Sequence, residues 1–162
     1  MIDHGERARA LFMQGYNCAQ SVFCAFTDVT GLDMDTAARL ASSFGGGLGR
    51  LREVCGTVSA AAMVLGLARG YADPNDPGAK SRHYRLVRDF AERFRRAEGS
   101  IVCRELLLRA RVDPETARPG GEPEARSADY YAKRPCPLLA WRAATLLDEI
   151  LGEDGARETA GN

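Results

Sequence analysis

The chain has 162 residues, a length for one domain, and its 45% hydrophobic and 27% charged residues make a core that needs no disulfide staples. Its 22 basic and 22 acidic residues cancel, which argues against a dedicated nucleic-acid binder. The longest apolar run, Ala60–Ala68, is too short and too rich in Ala and Gly for membrane insertion. The N-terminus MIDHGERARALF carries Asp3 and Glu6 and no apolar secretory core, so the expected location is cytoplasmic. Thiols stay reduced there, and five cysteines are then either core residues or chemistry.

No stretch alternates with period two, and helical spacing recurs throughout. The expected fold is all-α, a single-domain bundle of five to seven helices around a central apolar helix. A first helix runs from His4 to Gln14, with Asp3 as cap and Gly15 as stop. Asn17 caps a second through Val29, with Gln20 completing a capping-box pattern, and Gly31 ends it. Asp33 caps a third over Asp35–Phe44, which Gly45, Gly46, Gly47 and Gly49 break. The fourth, Gly56–Arg69, is apolar nearly all round and is the expected centre. After the turn residues 73–78 comes Lys80–Glu98, with Tyr84, Val87, Phe90, Ala91 and Phe94 facing the core and arginines facing solvent. Ser100 caps a helix over Ile101–Arg109, and residues 112–126 form a long irregular segment of the kind that is often functional. A short turn at Ala128–Lys133 leads to the last helix, Pro137–Leu151, with Trp141 in the core. Residues 1–151 are the expected domain and 152–162 a disordered tail.

Four cysteines fall at helix starts on this reading: Cys18, Cys55, Cys103 and Cys136. A helix N-terminus offers unpaired N–H groups and about half a positive charge, both of which favour the thiolate that attacks or ligates metal. Cys24 sits mid-helix among Val22, Phe23 and Phe26 and reads as core. Separations of 37, 48 and 33 residues leave it to the tertiary fold to bring the four together. The glycine run lacks a Walker Lys-Ser/Thr ending and a preceding strand, so it reads as a turn that carries Cys55 to the site. Gly45, Gly46, Gly47, Gly49 and Gly56 are the candidate cofactor contacts, because glycine lets backbone approach a bound group closely.

Gly15-Tyr16-Asn17-Cys18-Ala19-Gln20, Ser43–Arg50 and Glu53-Val54-Cys55-Gly56 resemble the C_GCAxxG_C_C family. The contexts Cys103-Arg104-Glu105-Leu106 and Cys136-Pro137 fit as well, and the likeness spans about residues 4–151. The resemblance implies that the four named cysteines are Cys18, Cys55, Cys103 and Cys136, and that the role is redox without a defined reaction. It also implies a transporter-associated partner, and related sequences occur joined to multihaem cytochromes with an iron–sulfur centre. This chain has no Cys-x-x-Cys-His for covalent haem. It departs from the family pattern at Thr57, which adds a hydroxyl near Cys55, and at Ala60, which replaces a glycine.

Three readings stay open at this point. Four thiolates suit an iron–sulfur cluster for electron transfer or redox sensing, although no Cys-x-x-Cys pair is present. Metal-free thiol–disulfide chemistry would use Cys18 or Cys55 as the attacking thiol, with Arg50 and Arg52 lowering the Cys55 pKa. A structural zinc site or a transporter-associated binding module is the third. The expected partners are a redox protein and a second copy in a homodimer. The arginines of 82–96 read as a solvated face, and His4, His83, Asp28, Asp148 and Glu149 show no arrangement of their own.

Overall fold

Side-chain caps set where the first helices begin, in a computed structural model that describes residues 2–160 and side chains as far as Glu153. The Asp3 carboxylate accepts from the Glu6 N–H at 2.9 Å and opens α1 (His4–Met13). Asn17 Oδ1 accepts from the Gln20 N–H at 2.8 Å, and Gln20 Oε1 accepts from the Asn17 N–H at 3.0 Å, closing the capping box of α2 (Cys18–Ala25). Where the sequence reading carried one helix to Val29, buried Phe26 leaves helical geometry and a separate turn, α3 (Thr27–Thr30), ends at Gly31 with φ 71°. Asp33 caps α4 (Met34–Ala41), which passes into a 3-10 turn at Ser42–Phe44.

The expected helix α5 (Gly56–Arg69) has the bounds read from the sequence. Next is α6 (Pro77–Glu98), which starts before Lys80 because Asp76 caps the Ala79 N–H at 2.8 Å and Pro77 sits at its first position. The next helix, α7 (Cys103–Arg109), starts later than Ile101: the Ser100 hydroxyl accepts from Val102 N–H at 3.0 Å and contacts Glu105, and does not cap the helix. Two more follow, α8 (Ala128–Lys133), capped by Ser127, and α9 (Cys136–Ala160). This last helix passes Leu151, where the sequence reading ends it. The expected disordered tail falls largely on residues whose side chains lie outside the described set, and residues 161–162 lie outside it altogether.

No strand forms among the described residues, and the fold is an all-α single domain. Helix α2 buries seven of its eight residues and shares the centre with α5, packing also against α1, α4 and α9. Phe12, Phe23, Phe26, Phe90 and Phe94 fill the interior with Leu65, Leu147 and Ile150. Trp141 is only half-buried and Tyr84 is 47% exposed, so neither joins the core as expected. On α6 the arginines do face solvent, with Arg93 bridging Asp89 and Glu153, each at 2.9 Å.

His4, Asp28 and Asp148, which show no grouping in the sequence, come together at the start of α1. His4 Nδ1 lies 2.6 Å from Asp148 Oδ1, and Nε2 lies 3.1 Å from both Asp28 oxygens, with the ring stacked 4.1 Å from Phe26. Burial raises the Asp148 carboxyl although His4 works the other way. The clamp ties α1 to α3 and α9.

Gly5 of α1 faces α9 so closely that a Cβ there would stand 2.6 Å from Thr145 Oγ1 and 3.1 Å from the Trp141 ring. Gly5→Val is expected to overpack this seam and destabilise the protein by about 1–3 kcal/mol, read as a lower urea midpoint at unchanged slope.

Candidate functional site

Helix starts carry the four cysteines as the sequence suggested. Cys18, Cys103 and Cys136 are the first residues of α2, α7 and α9, and Cys55 is the N-cap of α5. All four line one cavity of about 330 Å³, and Cys24, fully buried, does not. All five are free thiols. Among the described residues no group of three or more His, Cys, Asp or Glu is placed to hold a metal ion.

What brings Cys55 and Cys103 together is a short backbone pairing. Val54 and Val102 form an isolated antiparallel bridge. Cys55 N–H donates to Ile101 O at 2.8 Å, Cys103 N–H to Glu53 O at 2.6 Å, and Arg104 N–H to Arg52 O at 3.2 Å.

The glycine segment is a left-handed coil and not a simple turn. Gly46, Gly47, Leu48, Gly49, Arg50 and Arg52 all have φ between 54° and 69°. Three of these are not glycine, and such residues cost about 1 kcal/mol or more each in this region. The coil is held by its own hydrogen bonds, including Arg52 N–H to Gly46 O at 3.1 Å and Glu53 N–H to Gly47 O at 3.0 Å. Gly45, Gly46 and Gly49 line the cavity. Gly47 and Gly56 stand outside the lining and do a different job: a Cβ on Gly47 would be 2.7 Å from Cys103 Cβ, and one on Gly56 would be 2.6 Å from Cys18 Sγ.

Arg50 and Arg52 do not serve Cys55 as the sequence suggested. Arg52 is buried and its Nη1 donates toward Cys103 Sγ at 3.7 Å, while Arg50 Nε donates to Gly120 O at 3.1 Å. Cys55 instead meets the Thr57 hydroxyl at 3.1 Å. Burial pushes the Cys55 thiol well above its ordinary value, and the nearby Cys18 adds to this. Burial also raises Cys18, against the Gly46 N–H that favours its thiolate, and pushes Cys136 up to about 12 with Cys18 adding to it. For Cys18, burial outweighs the backbone N–H groups of Gly46 and Ala19.

Sequence reasoning missed the far wall, supplied by the irregular segment and α8. Arg126 donates to the carbonyls of Phe12 and Tyr16 at 3.4 and 3.0 Å and stacks 4.3 Å from the Phe12 ring and 4.8 Å from Tyr130. Buried Arg134 pairs with Glu124 at 2.8 Å and also lies 4.8 Å from the Tyr130 ring. The one signal for this wall was Arg and Tyr crowded just before Cys136.

Two glycine substitutions separate crowding from conformation. Gly49→Ala (φ 54°, open space) is expected to cost about 1 kcal/mol from backbone alone. Gly47→Ala (φ 69°) adds the collision with Cys103 and is expected to cost roughly 2–4 kcal/mol, both read by chemical denaturation. For Glu124, burial would raise the carboxyl, yet the hydrogen bond and charge of Arg134, with Arg50 and Arg52 beyond, hold it below the usual value. Its contribution is full above the ordinary carboxylate range and is lost as pH falls through the lowered value. Thermal midpoints against pH are expected to show a shallower acid decline in Glu124→Gln than in the wild type.

No curated protein and no solved structure matches the chain. A family model described as "Putative redox-active protein (C_GCAxxG_C_C)" matches residues 16–150, a span that contains the four cavity cysteines and the coil between the first two. The chain belongs to this redox-active family.

Proposed function

We propose that Cys18, Cys55, Cys103 and Cys136 ligate an iron–sulfur cluster and that the protein transfers or senses electrons through it. The observation that carries this reading is the lining of one cavity of about 330 Å³ by four thiols from four separate helices. The donor set fits the group: four cysteine thiols lining one cavity are the usual complement of an iron–sulfur cluster. When bound, such a cluster supplies one-electron chemistry.

The chain's own groups hold and tune the ligands. Backbone N–H groups of Gly46 and Ala19 favour the Cys18 thiolate, the Thr57 hydroxyl contacts Cys55, and Arg52 Nη1 points at Cys103. Hydrogen bonds of this kind to cysteine sulfur shift a cluster's potential upward. Leu106, Leu107 and Leu139 supply the apolar part of the lining and limit water. A redox partner protein would deliver or accept the electron.

Iron, zinc and acid-labile sulfide per chain on anaerobically purified protein test the proposal. Iron and sulfide in matched amounts are expected, largely lost on Ser substitution of Cys18, Cys55, Cys103 or Cys136 and retained in Cys24→Ser. Zinc without sulfide would replace the cluster by a structural four-thiolate site. Neither metal would move the function to thiol–disulfide exchange.

A further inference from the structure

We infer that residues 118–125 are a strap that lifts off the cavity and forms the entrance to the four cysteines. The inference deepens the cluster reading, and rests on it only for the identity of what enters.

The strap hangs between two fixed points. At one end Ala117, 2% exposed, packs with Cys103, Leu107 and Val112. At the other, Arg126 is held by the Phe12 and Tyr16 carbonyls and the Phe12 ring. Between them the backbone is irregular and each residue is exposed, yet Gly121, Pro123 and Glu124 line the cavity. This segment therefore has the cavity on one side and water on the other. The rest of the lining belongs to helices, their caps, the hydrogen-bonded coil or the anchored Arg126. Cys18, Cys55 and Cys103 are 4–8% exposed beneath it, so a group of several atoms reaches them only if part of the wall moves.

Few ties hold the strap down. Gly120 N–H donates to Arg50 O at 2.9 Å, and Arg50 Nε donates to Gly120 O at 3.1 Å. Glu124 pairs with Arg134 at 2.8 Å. Among the described residues the bonds of Arg118 and Ala125 stay local, to Glu115 and Ser127. Exposed hydrogen bonds of this kind are exchanged readily for bonds to water, and segments with few buried contacts open locally while the core stays folded. Arg134 supplies the return: its side chain is 4% exposed, and a buried cation draws its carboxylate back. The bend of the strap is also free of packing. Gly120 and Gly121 have φ of 83° and 77°, and a Cβ on Gly120 would meet nothing within 4 Å. Glycine there sets no side chain against the swing.

The test follows access to the cavity of the anaerobically purified protein at fixed pH. Iodoacetamide reports on thiols where no iron is bound, each cysteine being read by peptide mass spectrometry, and ferrozine captures iron where it is bound. Cys24, fully buried outside the cavity, reports global unfolding in the same samples. Gly120→Ala strains the closed strap without a collision or a change of charge. It is expected to speed alkylation of the four cysteines, or release of iron, about fivefold with Cys24 unchanged. Gly31→Ala carries the same kind of strain at φ 71° in open space away from the cavity, and is expected to leave access unchanged. Should Gly120→Ala fail to fold by circular dichroism, Glu124→Asp keeps the charge, shortens the reach to Arg134 and is expected to raise access about tenfold. Access that rises only in step with Cys24, rises equally in Gly31→Ala, or stays unchanged in the folded strap variant overturns the inference. Iron and sulfide measured on the same preparation separate the two readings. A strap response without iron would sink the cluster and leave the strap standing. Iron and sulfide with no strap response would keep the cluster and sink the strap.

Discussion

The site depends on a short backbone exchange between residues 52–55 and 101–104. Three hydrogen bonds and the Val54–Val102 bridge join two segments that are distant in the chain and belong to different helix approaches. Each such bond contributes about 1 kcal/mol net, but the geometric effect is larger than the energetic one. The exchange sets the N-cap of α5 beside the start of α7, so Cys55 and Cys103 face one space. It also anchors the carbonyl of Arg52, which turns that side chain toward Cys103 and away from Cys55. Cys18 is then added through contact with Gly56, where only a hydrogen in place of Cβ leaves room for its sulfur.

Burial and charge are opposed throughout the cavity. Taking thiols out of water favours their neutral form, and in Cys18, Cys55 and Cys136 this outweighs nearby N–H groups and cations. Arg52 and Arg134 are as short of solvent as the thiols while Arg50 and Arg126 are half-buried, and aromatic faces, carbonyls and one carboxylate hold Arg126 and Arg134. A cavity with neutral thiols and excess cations is electrostatically unbalanced as it stands. A metal centre that takes the thiols as ligands would make their thiolates worth forming, and those thiolates would in turn balance the arginines.

Features governed by local rules were readable in the sequence. The caps Asp3, Asn17 and Asp33, the stop at Gly31 and the bounds of α5 each depend on neighbours within a few residues. The placing of four cysteines at helix starts came from the same signals. Features set by tertiary contact were not readable. Phe26 breaks its helix because the core takes its ring, Ser100 gives up capping to hold Val102 and Glu105, and nothing in the string 46–52 marks Leu48, Arg50 and Arg52 as left-handed. The wall of Arg126, Tyr130 and Arg134 was out of reach because Arg126 anchors it to Phe12 and Tyr16, more than a hundred residues upstream.

That wall has a consequence for the order in which the molecule assembles. Arg126 bonds to Phe12 and Tyr16, and Tyr131 to Met13, across separations of 114, 110 and 118 residues. Contacts that close loops of this length form late, after local helices have appeared and the chain entropy of closure can be offset. Cys136 follows this segment directly in the chain, so the fourth thiol lines the cavity only once the wall has docked. During synthesis residues 18–109 emerge before residues 126–136. Until those last residues dock, the side of the cavity that they line stays open.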